Sequence, residues 1–331
     1  MIISRTPYRI SFFGGGTDYP EWYLKNGGKV ISSTINKYVY ISLRNLPSFF
    51  KHKYRIAYSK VEYIKEIKNI KHQVVREMIN TLKIKQGLEI HYDGDLPSKS
   101  GMGSSSAFVV GLMLAMQELN KIKLTKKSLA YKSMFFEQKI LKEIVGSQDQ
   151  IATTYGGFNL INFSKNGEFI INKIKINDIF KKQLNKSLFI VYTGRQRRAH
   201  AIASKYVSKL GKNNFSEMQQ LLKIVDIAKK ILEERQLDDF GLLLDQTWKV
   251  KKSLASNISN NYLDSLYDYG IASGAYGGKL LGAGGGGFML FYVPLKNTKL
   301  FLKKFKKNLI IPFEFEDKGS KIIYNSDNEN I

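Results

Sequence analysis

The chain has 331 residues, of which 43 % are apolar, so it can form one large globular domain or two of ordinary size. It contains no cysteine, which excludes a disulfide framework and a thiolate metal site. It has no apolar run long enough to span a bilayer and no signal-peptide pattern, which predicts a cytoplasmic protein. The formal net charge of +24 is compatible with nucleic-acid binding, with phosphorylated ligands or with a lysine-rich solvated surface.

The first half of the chain is predicted to combine strands with helices. Clusters of β-branched and aromatic residues predict strands at 2–5, 9–13, 29–33, 36–46, 52–58 and 88–92. Helical patterns cover 72–84, 104–120, 125–142 and 147–155, and two further strands are expected near 158–163 and 168–174.

The second half is richer in helices. A buried strand is predicted at 188–192, followed by helices near 197–210, 215–234, 238–254 and 260–273. Strands near 277–282 and 287–293, a basic helix near 297–307, and strands at 311–315 and 320–324 complete the chain. Lysines over 176–187 indicate an exposed connection and predict two domains, 1–180 and 181–331. The mixture predicts an α+β fold with antiparallel or mixed sheets.

The segment 97–107 joins a turn to the apolar run of the next helix and is rich in glycine and serine. Glycines permit positive φ and close approach of a ligand, and a helix N-terminus offers unpaired N–H groups that suit phosphate. We therefore predict a phosphate-binding loop; the alternative is a turn that only caps the helix. The candidate residues are Pro97, Ser100, Gly101, Met102, Gly103, Ser104, Ser105 and Ser106.

A second glycine-rich segment, residues 282–287, formally matches the dinucleotide-binding pattern GxGxxG. That pattern leads from a strand into a helix, whereas residues 288–293 are apolar and aromatic, as in a strand. We therefore expect a loop between two strands that presses its backbone against a substrate or against the phosphate loop. A flexible turn is the alternative, although so many glycines carry a high entropic cost.

Two acidic residues are candidates for phosphoryl transfer, which needs charge neutralisation, alignment and the removal of one proton. Glu137 follows two phenylalanines in a helix, where a buried carboxyl is costly unless it meets a cation. Asp149 lies at the expected start of another helix. On the residues alone, an exposed helical Glu137 and an Asp149 that merely favours its helix N-terminus are equally good interpretations.

Four segments in this order resemble the GHMP family of small-molecule kinases: residues 7–19, 97–107, 146–150 and 279–288. The resemblance spans most of the chain. It implies an α+β fold with an N-terminal ATP-binding domain like the second domain of ribosomal protein S5 and a C-terminal ferredoxin-like domain, with the active site between them. It also implies an ATP- and Mg²⁺-dependent kinase whose loop at 97–107 wraps the ATP phosphates.

The same resemblance implies residue roles. Glu137, twelve positions before Asp149, would bind Mg²⁺ together with Ser105, and Asp149 would be the general base. Arg9 would stabilise the transferring phosphoryl group or steady the base. Gly284 and Gly285 would shape the active site beside substrate and phosphates.

Residues 14–19 bear on the acceptor, because they read Gly-Gly-Gly-Thr-Asp-Tyr where galactose-phosphorylating members carry Gly-Glu-His-Thr-Asp-Tyr. Gly15 and Gly16 in place of the two large side chains argue against galactose and leave room for a larger sugar, with Thr17 and Asp18 available to its hydroxyls. This form resembles the branch that phosphorylates the anomeric C1 hydroxyl of D-glycero-D-manno-heptose 7-phosphate. Kinases of unphosphorylated fucose-like sugars are the alternative.

A phosphorylated acceptor needs a second cationic pocket. Arg195, Arg197 and Arg198 are three of only nine arginines and directly follow a predicted strand, although they also fit a solvated basic helix end. The other basic residues are mostly scattered lysines, which favours a solvated surface over nucleic-acid binding, the alternative from another function class. We expect ATP and a sugar phosphate as partners, no nucleic acid or membrane, and a monomer or homodimer.

Overall fold

The computed structural model describes residues 1–98, 100–195, 207, 210 and 214–326. Within them, two β-sheets are packed with helices, and the predicted α+β class is confirmed. The helix predicted over 197–210 lies outside the described residues apart from positions 207 and 210. No helix in the described ranges has the length and apolar content needed to cross a membrane.

The larger sheet has nine strands among the described residues, and it takes its last two strands from the end of the chain. They are β1 (Ile2–Phe13), β2 (Gly28–Asn45), β3 (Tyr54–Ala57), β4 (Val61–Ile64), β5 (Leu88–Gly94), β6 (Phe158–Phe163), β7 (Phe169–Lys173), β12 (Phe315–Glu316) and β13 (Lys321–Asn325). The order is β13-β1-β2-β5-β3-β4, with β6 and β12 also paired to β2 and β7 paired to β6.

The first two strands are longer than the sequence predicted. Residues 2–5 and 9–13 belong to one strand, β1, whose register shifts between Pro7 and Arg9. Proline cannot donate to the ladder, and a bulge accommodates it without ending the strand. Likewise 29–33 and 36–46 form one strand, β2, whose first part pairs with β6 and whose second part pairs with β5. At the position where the sequence predicts a break, β2 therefore continues and changes its neighbouring strand from β6 to β5.

Six helices of the first half are described, with one π-helical turn. They are α1 (Pro20–Asn26), α2 (Gln73–Thr81), α3 (Ser104–Leu119), α4 (Lys126–Phe135), which continues into the π-helical residues Phe136–Ile140, α5 (Gln148–Tyr155) and α6 (Asp178–Ser187). Helix α3 is buried on nearly all sides and lies against β1 and β2. A Cβ at Gly111 would come 2.8 Å from Thr6 Oγ1, so glycine allows this close helix-on-sheet approach.

The smaller sheet is built from β8 (Leu188–Tyr192), β9 (Gly277–Leu280), β10 (Phe288–Tyr292) and β11 (Ile310–Ile311). All its pairs are antiparallel, and the order β11-β8-β10-β9 is that of a ferredoxin-like βαββαβ unit, as expected for the second half. The described helices of this half are α7 (Phe215–Glu234), α8 (Leu237–Ser253), α9 (Asn261–Ala272) and α10 (Thr298–Lys304).

The expected division into 1–180 and 181–331 differs from the sheet pairing in two respects. Residues 178–187 are not an exposed connection but helix α6, whose N-terminus is capped by the Asn177 side chain. Strands β12 and β13 leave the second half and pair with β2 and β1. The halves also share a core, since the Phe240 ring on α8 lies 5.4 Å from Phe12 and 5.1 Å from Phe13 on β1.

Candidate active site

Arg9 and Asp149 form a bidentate ion pair at the centre of the site. Arg9 Nε and Nη2 donate to Asp149 Oδ1 and Oδ2, each at 2.7 Å, and Nη1 donates to the carbonyl of Gly101 at 2.8 Å. The Arg9 side chain is 4 % exposed and that of Asp149 is 23 % exposed. One buried guanidinium therefore joins β1, the start of α5 and the phosphate loop, while the carboxylate remains accessible.

The predicted phosphate loop lies directly beside this ion pair. Gly101 and Gly103 have φ of 78° and 76°, and a Cβ at Gly103 would come 3.1 Å from Arg9 Cγ, so both positions require glycine. Ser104 and Ser106 are buried, Pro97 and Ser105 are exposed, and the Met102 side chain packs in the core. Ser100 Oγ is buried and has no hydrogen-bond partner among the described residues, which leaves one polar group for a ligand.

Glu137 lies in the π-helical turn after α4 and is 1 % exposed. Ser106 Oγ donates to its Oε2 at 2.7 Å, and Gln150 Nε2 donates to the same oxygen. Burial raises the pKa of Glu137 to about 7, against the lowering effect of these two hydrogen bonds. The serine that meets Glu137 is thus Ser106, whereas Ser105, the serine expected beside it, is exposed at the start of α3.

These residues fit a divalent cation that is bound mainly through phosphate. Gln150 Oε1 beside Glu137 is buried and has no hydrogen-bond partner in the part of the chain that the structure describes, and Glu137 itself offers a carboxylate once it is ionised. The described residues contain no group of three or more His, Asp or Glu side chains that could hold a metal alone. An ion such as Mg²⁺ would therefore take most of its oxygen ligands from a nucleotide and from water.

The second glycine-rich segment packs its backbone against the phosphate loop, which is one of the two contacts that the sequence predicts for it. A Cβ at Gly282 would lie 2.5 Å from Gly101 Cα, and one at Gly287 would lie 2.3 Å from the Ser100 carbonyl oxygen. The segment runs from β9 into β10, so it is a strand-to-strand loop. Gly284 and Gly285 are buried within it, and Gly285 N donates to the Ile258 carbonyl at 2.9 Å.

Thr17 and Asp18 hold the loop between β1 and α1, with their side chains committed to the backbone. The Thr17 hydroxyl bonds to the carbonyls of Gly14 and Lys29, both at 2.8 Å. Asp18 accepts from the N–H groups of Gly16 at 2.9 Å and Gln148 at 3.4 Å, and its burial raises its pKa. The structure therefore uses these two residues to shape the loop rather than to present free polar groups.

Gly15 marks a place where polar groups without partners converge. A Cβ there would lie 3.4 Å from Ser11 Oγ and 3.8 Å from Gln148 Nε2, in ordinary contact. Ser11 Oγ and Gln148 Oε1 are both buried and make no hydrogen bond within the described part of the chain. Gly16, at φ 112°, faces Met218 and Leu221 of α7 at 3.8 and 3.9 Å from its ideal Cβ. A hydroxyl-rich ligand beside Gly15 would satisfy the orphaned groups.

Arg195 lies beside the second glycine-rich segment. Its carbonyl accepts from Gly287 N at 2.8 Å, and its exposed guanidinium lies 4.5 Å from the ring centroid of Tyr262. Arg197 and Arg198, which were predicted to act with it, lie outside the described residues.

Sequence reasoning missed two buried lysines near the site. Lys251 on α8 and Lys279 on β9 are 7 % and 2 % exposed. Lys251 has lysines close by at 249 and 252, whereas Lys279 stands alone between glycine and leucine, and neither local pattern distinguishes a buried lysine from a solvated one. Their burial depends on packing between the two halves.

The sequence matches one protein family and several known proteins. Residues 63–157 match the GHMP kinases N terminal domain family. The D-glycero-alpha-D-manno-heptose 7-phosphate kinase of Campylobacter jejuni is 30 % identical over 338 aligned residues, covering 97 % of this chain and 98 % of that protein. The bifunctional fucokinase/GDP-fucose pyrophosphorylase of Arabidopsis thaliana is 25 % identical over 313 residues, which cover 86 % of this chain and 29 % of that protein.

A solved structure extends the likeness to the whole fold. The crystal structure of a D-glycero-D-manno-heptose 1-phosphate kinase from Bacteroides thetaiotaomicron superposes with a TM-score of 0.80 at 23 % identity. The superposition covers 98 % of this chain and 100 % of that one. At this identity the likeness concerns the fold alone.

The buried carboxyl of Glu137 predicts a pH-dependent effect of Glu137→Gln. Because its pKa rises from 4.5 to about 7 on folding, the wild type loses stability as pH increases through this window, whereas glutamine does not titrate. Between about pH 5 and pH 8, the difference in free energy of unfolding should move in favour of the variant by about 2 to 3 kcal/mol. Urea unfolding with a chelator present measures it, and a difference that does not change with pH would mean that folded Glu137 is ionised throughout.

Proposed function

The chain belongs to the GHMP kinase family, and we propose that it transfers the γ-phosphate of ATP to the anomeric C1 hydroxyl of a sugar phosphate, D-glycero-D-manno-heptose 7-phosphate. The observation that carries this proposal is the accessible Asp149 carboxylate, held by buried Arg9 next to a glycine loop at a helix N-terminus. A base, a cation and a phosphate loop thus meet at one point, as phosphoryl transfer requires.

The triphosphate would lie over the loop at residues 100–106. Its oxygens would accept hydrogen bonds from the N–H groups at the start of α3, where the helix dipole favours negative charge, and from the Ser100 hydroxyl, which has no partner among the described residues. The second glycine-rich segment would close the other side, because it already touches Ser100 and Gly101. The positive φ at positions 101 and 103 favours glycine, and because glycine has no side chain, the backbone is exposed to a ligand there.

Glu137 would hold Mg²⁺ together with a serine of α3. Ser106 is in contact with Glu137, and Ser105, the serine predicted from the sequence, is exposed at the same helix start. When bound, Mg²⁺ neutralises charge on the phosphate oxygens and helps the leaving ADP to depart. Ionisation of Glu137 would accompany its binding, since a neutral carboxyl is a poor ligand.

Asp149 would remove the proton from the acceptor. The proton of the C1 hydroxyl moves to a carboxylate oxygen, the hydroxyl oxygen forms a bond to the γ-phosphorus, and the bond from that phosphorus to the β–γ bridging oxygen breaks to release ADP. Arg9 fixes the orientation of the carboxylate through two charge-assisted hydrogen bonds and adds positive charge beside the transferring group.

The space beside Gly15 supports a sugar as the acceptor. Ser11 Oγ and Gln148 Oε1 can bond hydroxyl groups there, and glycine leaves room for the ring. Thr17 and Asp18 would act by shaping the loop that carries Gly15. Gly284 and Gly285 would border the same space from the other half. Arg195 would reach the distal phosphate of the acceptor, and Arg197 and Arg198 stay a prediction from the sequence.

ADP release should depend on the acceptor. The proposal expects turnover with D-glycero-D-manno-heptose 7-phosphate and at least about ten-fold lower kcat/KM with the unphosphorylated heptose or with fucose, since the phosphate contact is lost. A coupled ADP assay over this panel measures it. Preference for an unphosphorylated sugar would instead support the fucokinase-like alternative, towards which the Arabidopsis relative points.

Asp149→Asn should remain folded yet lose at least about 100-fold in kcat, because the amide keeps the shape but cannot accept the proton. Steady-state kinetics measures the loss, and thermal unfolding and ADP binding report on the fold. Asp226→Asn is the matched control, because that carboxylate is exposed and pairs with the Lys29 side chain rather than with Arg9. If Asp149→Asn kept nearly the full kcat, Asp149 would not be the general base.

Arg195→Gln should raise KM for the sugar phosphate by about ten-fold or more and change KM for ATP by less than about two-fold, since one charge-assisted bond to the distal phosphate is lost. Initial-rate kinetics at varied concentrations of each substrate separates the two values. Arg235→Gln, an exposed arginine at the end of α7, is the control. Equal changes in both KM values would rule out a role specific to the acceptor.

A further inference from the structure

The ammonium groups of Lys251 and Lys279 are buried, and the mechanism above does not use them. Lys251 Nζ donates to the carbonyls of Leu280, at 3.2 Å, and Gly282. Lys279 Nζ donates to the carbonyls of Ser11 and Phe12, at 3.0 and 2.7 Å. In the described part of the chain these contacts are with neutral carbonyls, so neither positive charge is compensated by an ion pair.

This arrangement is costly without a ligand. A buried ammonium group that lacks a counter-charge loses hydration that carbonyl oxygens only partly replace. Burial and the nearby Arg9 charge lower the pKa of Lys251 to about 8, and burial with the charges of Lys251 and Arg9 lowers that of Lys279 well below its usual value. Asp18 is the carboxylate that counteracts both shifts, but its oxygens already accept the N–H groups of Gly16 and Gln148. Among the described residues, no carboxylate therefore contacts either ammonium group.

The two lysines differ in what they hold. Lys279 reaches the end of β1 and ties the smaller sheet to the larger one. Lys251 holds the carbonyl of Gly282, and Gly282 is the residue that packs on Gly101 of the phosphate loop. The Gly101 carbonyl in turn accepts a hydrogen bond from Arg9, so Lys251 is linked to the Arg9–Asp149 pair through Gly282 and Gly101. Of the two lysines, Lys251 is therefore the one linked to the phosphate loop.

We propose that Lys251 binds a phosphate group in the cleft, contributing an ammonium from the C-terminal half, and that the Leu280 and Gly282 carbonyls hold it in place when no ligand is bound. This inference rests on the proposed kinase function. The phosphate belongs either to the nucleotide or to the sugar phosphate, and both present the same chemistry. A phosphate oxygen at this point would give the Lys251 ammonium group the counter-charge that its two carbonyl partners do not supply.

Lys251→Met tests the proposal, because methionine keeps the unbranched apolar stem and removes the charge and its donors. Lys251→Arg retains the charge. Lys249→Met is the matched control on the same helix, since Lys249 is 69 % exposed and pairs with Asp245. Titration calorimetry with ADP and with adenosine, and KM for the sugar phosphate against the unphosphorylated sugar, compare each ligand with its phosphate-free counterpart.

If the nucleotide is the source, Lys251→Met should weaken ADP binding by about ten-fold or more and leave adenosine within about two-fold, and Lys251→Arg should recover part of the loss. If the acceptor is the source, KM for the sugar phosphate should rise instead, with that for the unphosphorylated sugar unchanged. Thermal unfolding shows that the variants are folded.

Two results would overturn the inference. Wild-type affinity of Lys251→Met for both ADP and the sugar phosphate is one. Equal weakening of ligands with and without phosphate is the other, because it would mean that Lys251 only packs the loop. A separate result concerns the kinase itself: if Lys251→Met weakens ADP binding but the wild type phosphorylates no sugar, the phosphate contact stands and the proposed function fails.

Discussion

The buried guanidinium of Arg9 is the group on which the rest of the site depends. It holds Asp149 with two hydrogen bonds and the Gly101 carbonyl with a third, so that β1, α5 and the phosphate loop are fixed to one planar group. An arginine fork imposes direction as well as attraction, which a lysine could not do here. The ion pair is buried on the Arg9 side and accessible on the Asp149 side, and with the Gly101 contact it links three segments that lie far apart in the sequence.

Backbone contacts between glycines complete the site from the other half of the chain. Gly282 and Gly287 meet Ser100 and Gly101 so closely that any Cβ would collide with main-chain atoms. Gly282 and Gly287 allow this approach because they carry no Cβ. The glycines thus have two uses: they give the loops their positive φ, and they let the loops of the two halves pack against each other.

Buried charge is the second theme of the site. Four charged side chains of the site are nearly inaccessible to solvent: Glu137, Asp18, Lys251 and Lys279. Burial raises the pKa of the two carboxyl groups and lowers the pKa of the two lysines, so it favours the neutral form of each group. Such groups weaken a fold unless something else compensates them. Here the compensation within the chain comes from backbone N–H and C=O groups, a serine and a glutamine. Under the proposed function, a polyanionic nucleotide with its cation would add further compensation beside the loops.

Much of the fold was predictable because it follows from local pattern. The apolar run after residue 104 and the glycines at 156–157 led to α3 and α5 within one residue of their bounds. The strand pattern at 288–293 decided against a dinucleotide site at 282–287. Local pattern predicts wrongly where pairing with a distant segment determines the structure. The sequence predicts breaks in β1 and β2, which are continuous strands. It also predicts an exposed connection at the lysines of α6, although Phe180 and Leu184 are buried on one face of that helix.

The sequence by itself determined the four motifs, their order and the family they indicate, since the conformations of glycine and the chemistry of short loops are local properties. The tertiary structure alone decided which groups meet. It brought Ser106 rather than Ser105 to Glu137, committed Thr17 and Asp18 to the backbone, and buried Lys251 and Lys279 at the junction of the two halves. Burial and pairing depend on contacts with other chain segments, up to 268 residues away for Lys279 and Ser11, and one residue of rotation along α3 or α8 changes which side chain faces the site.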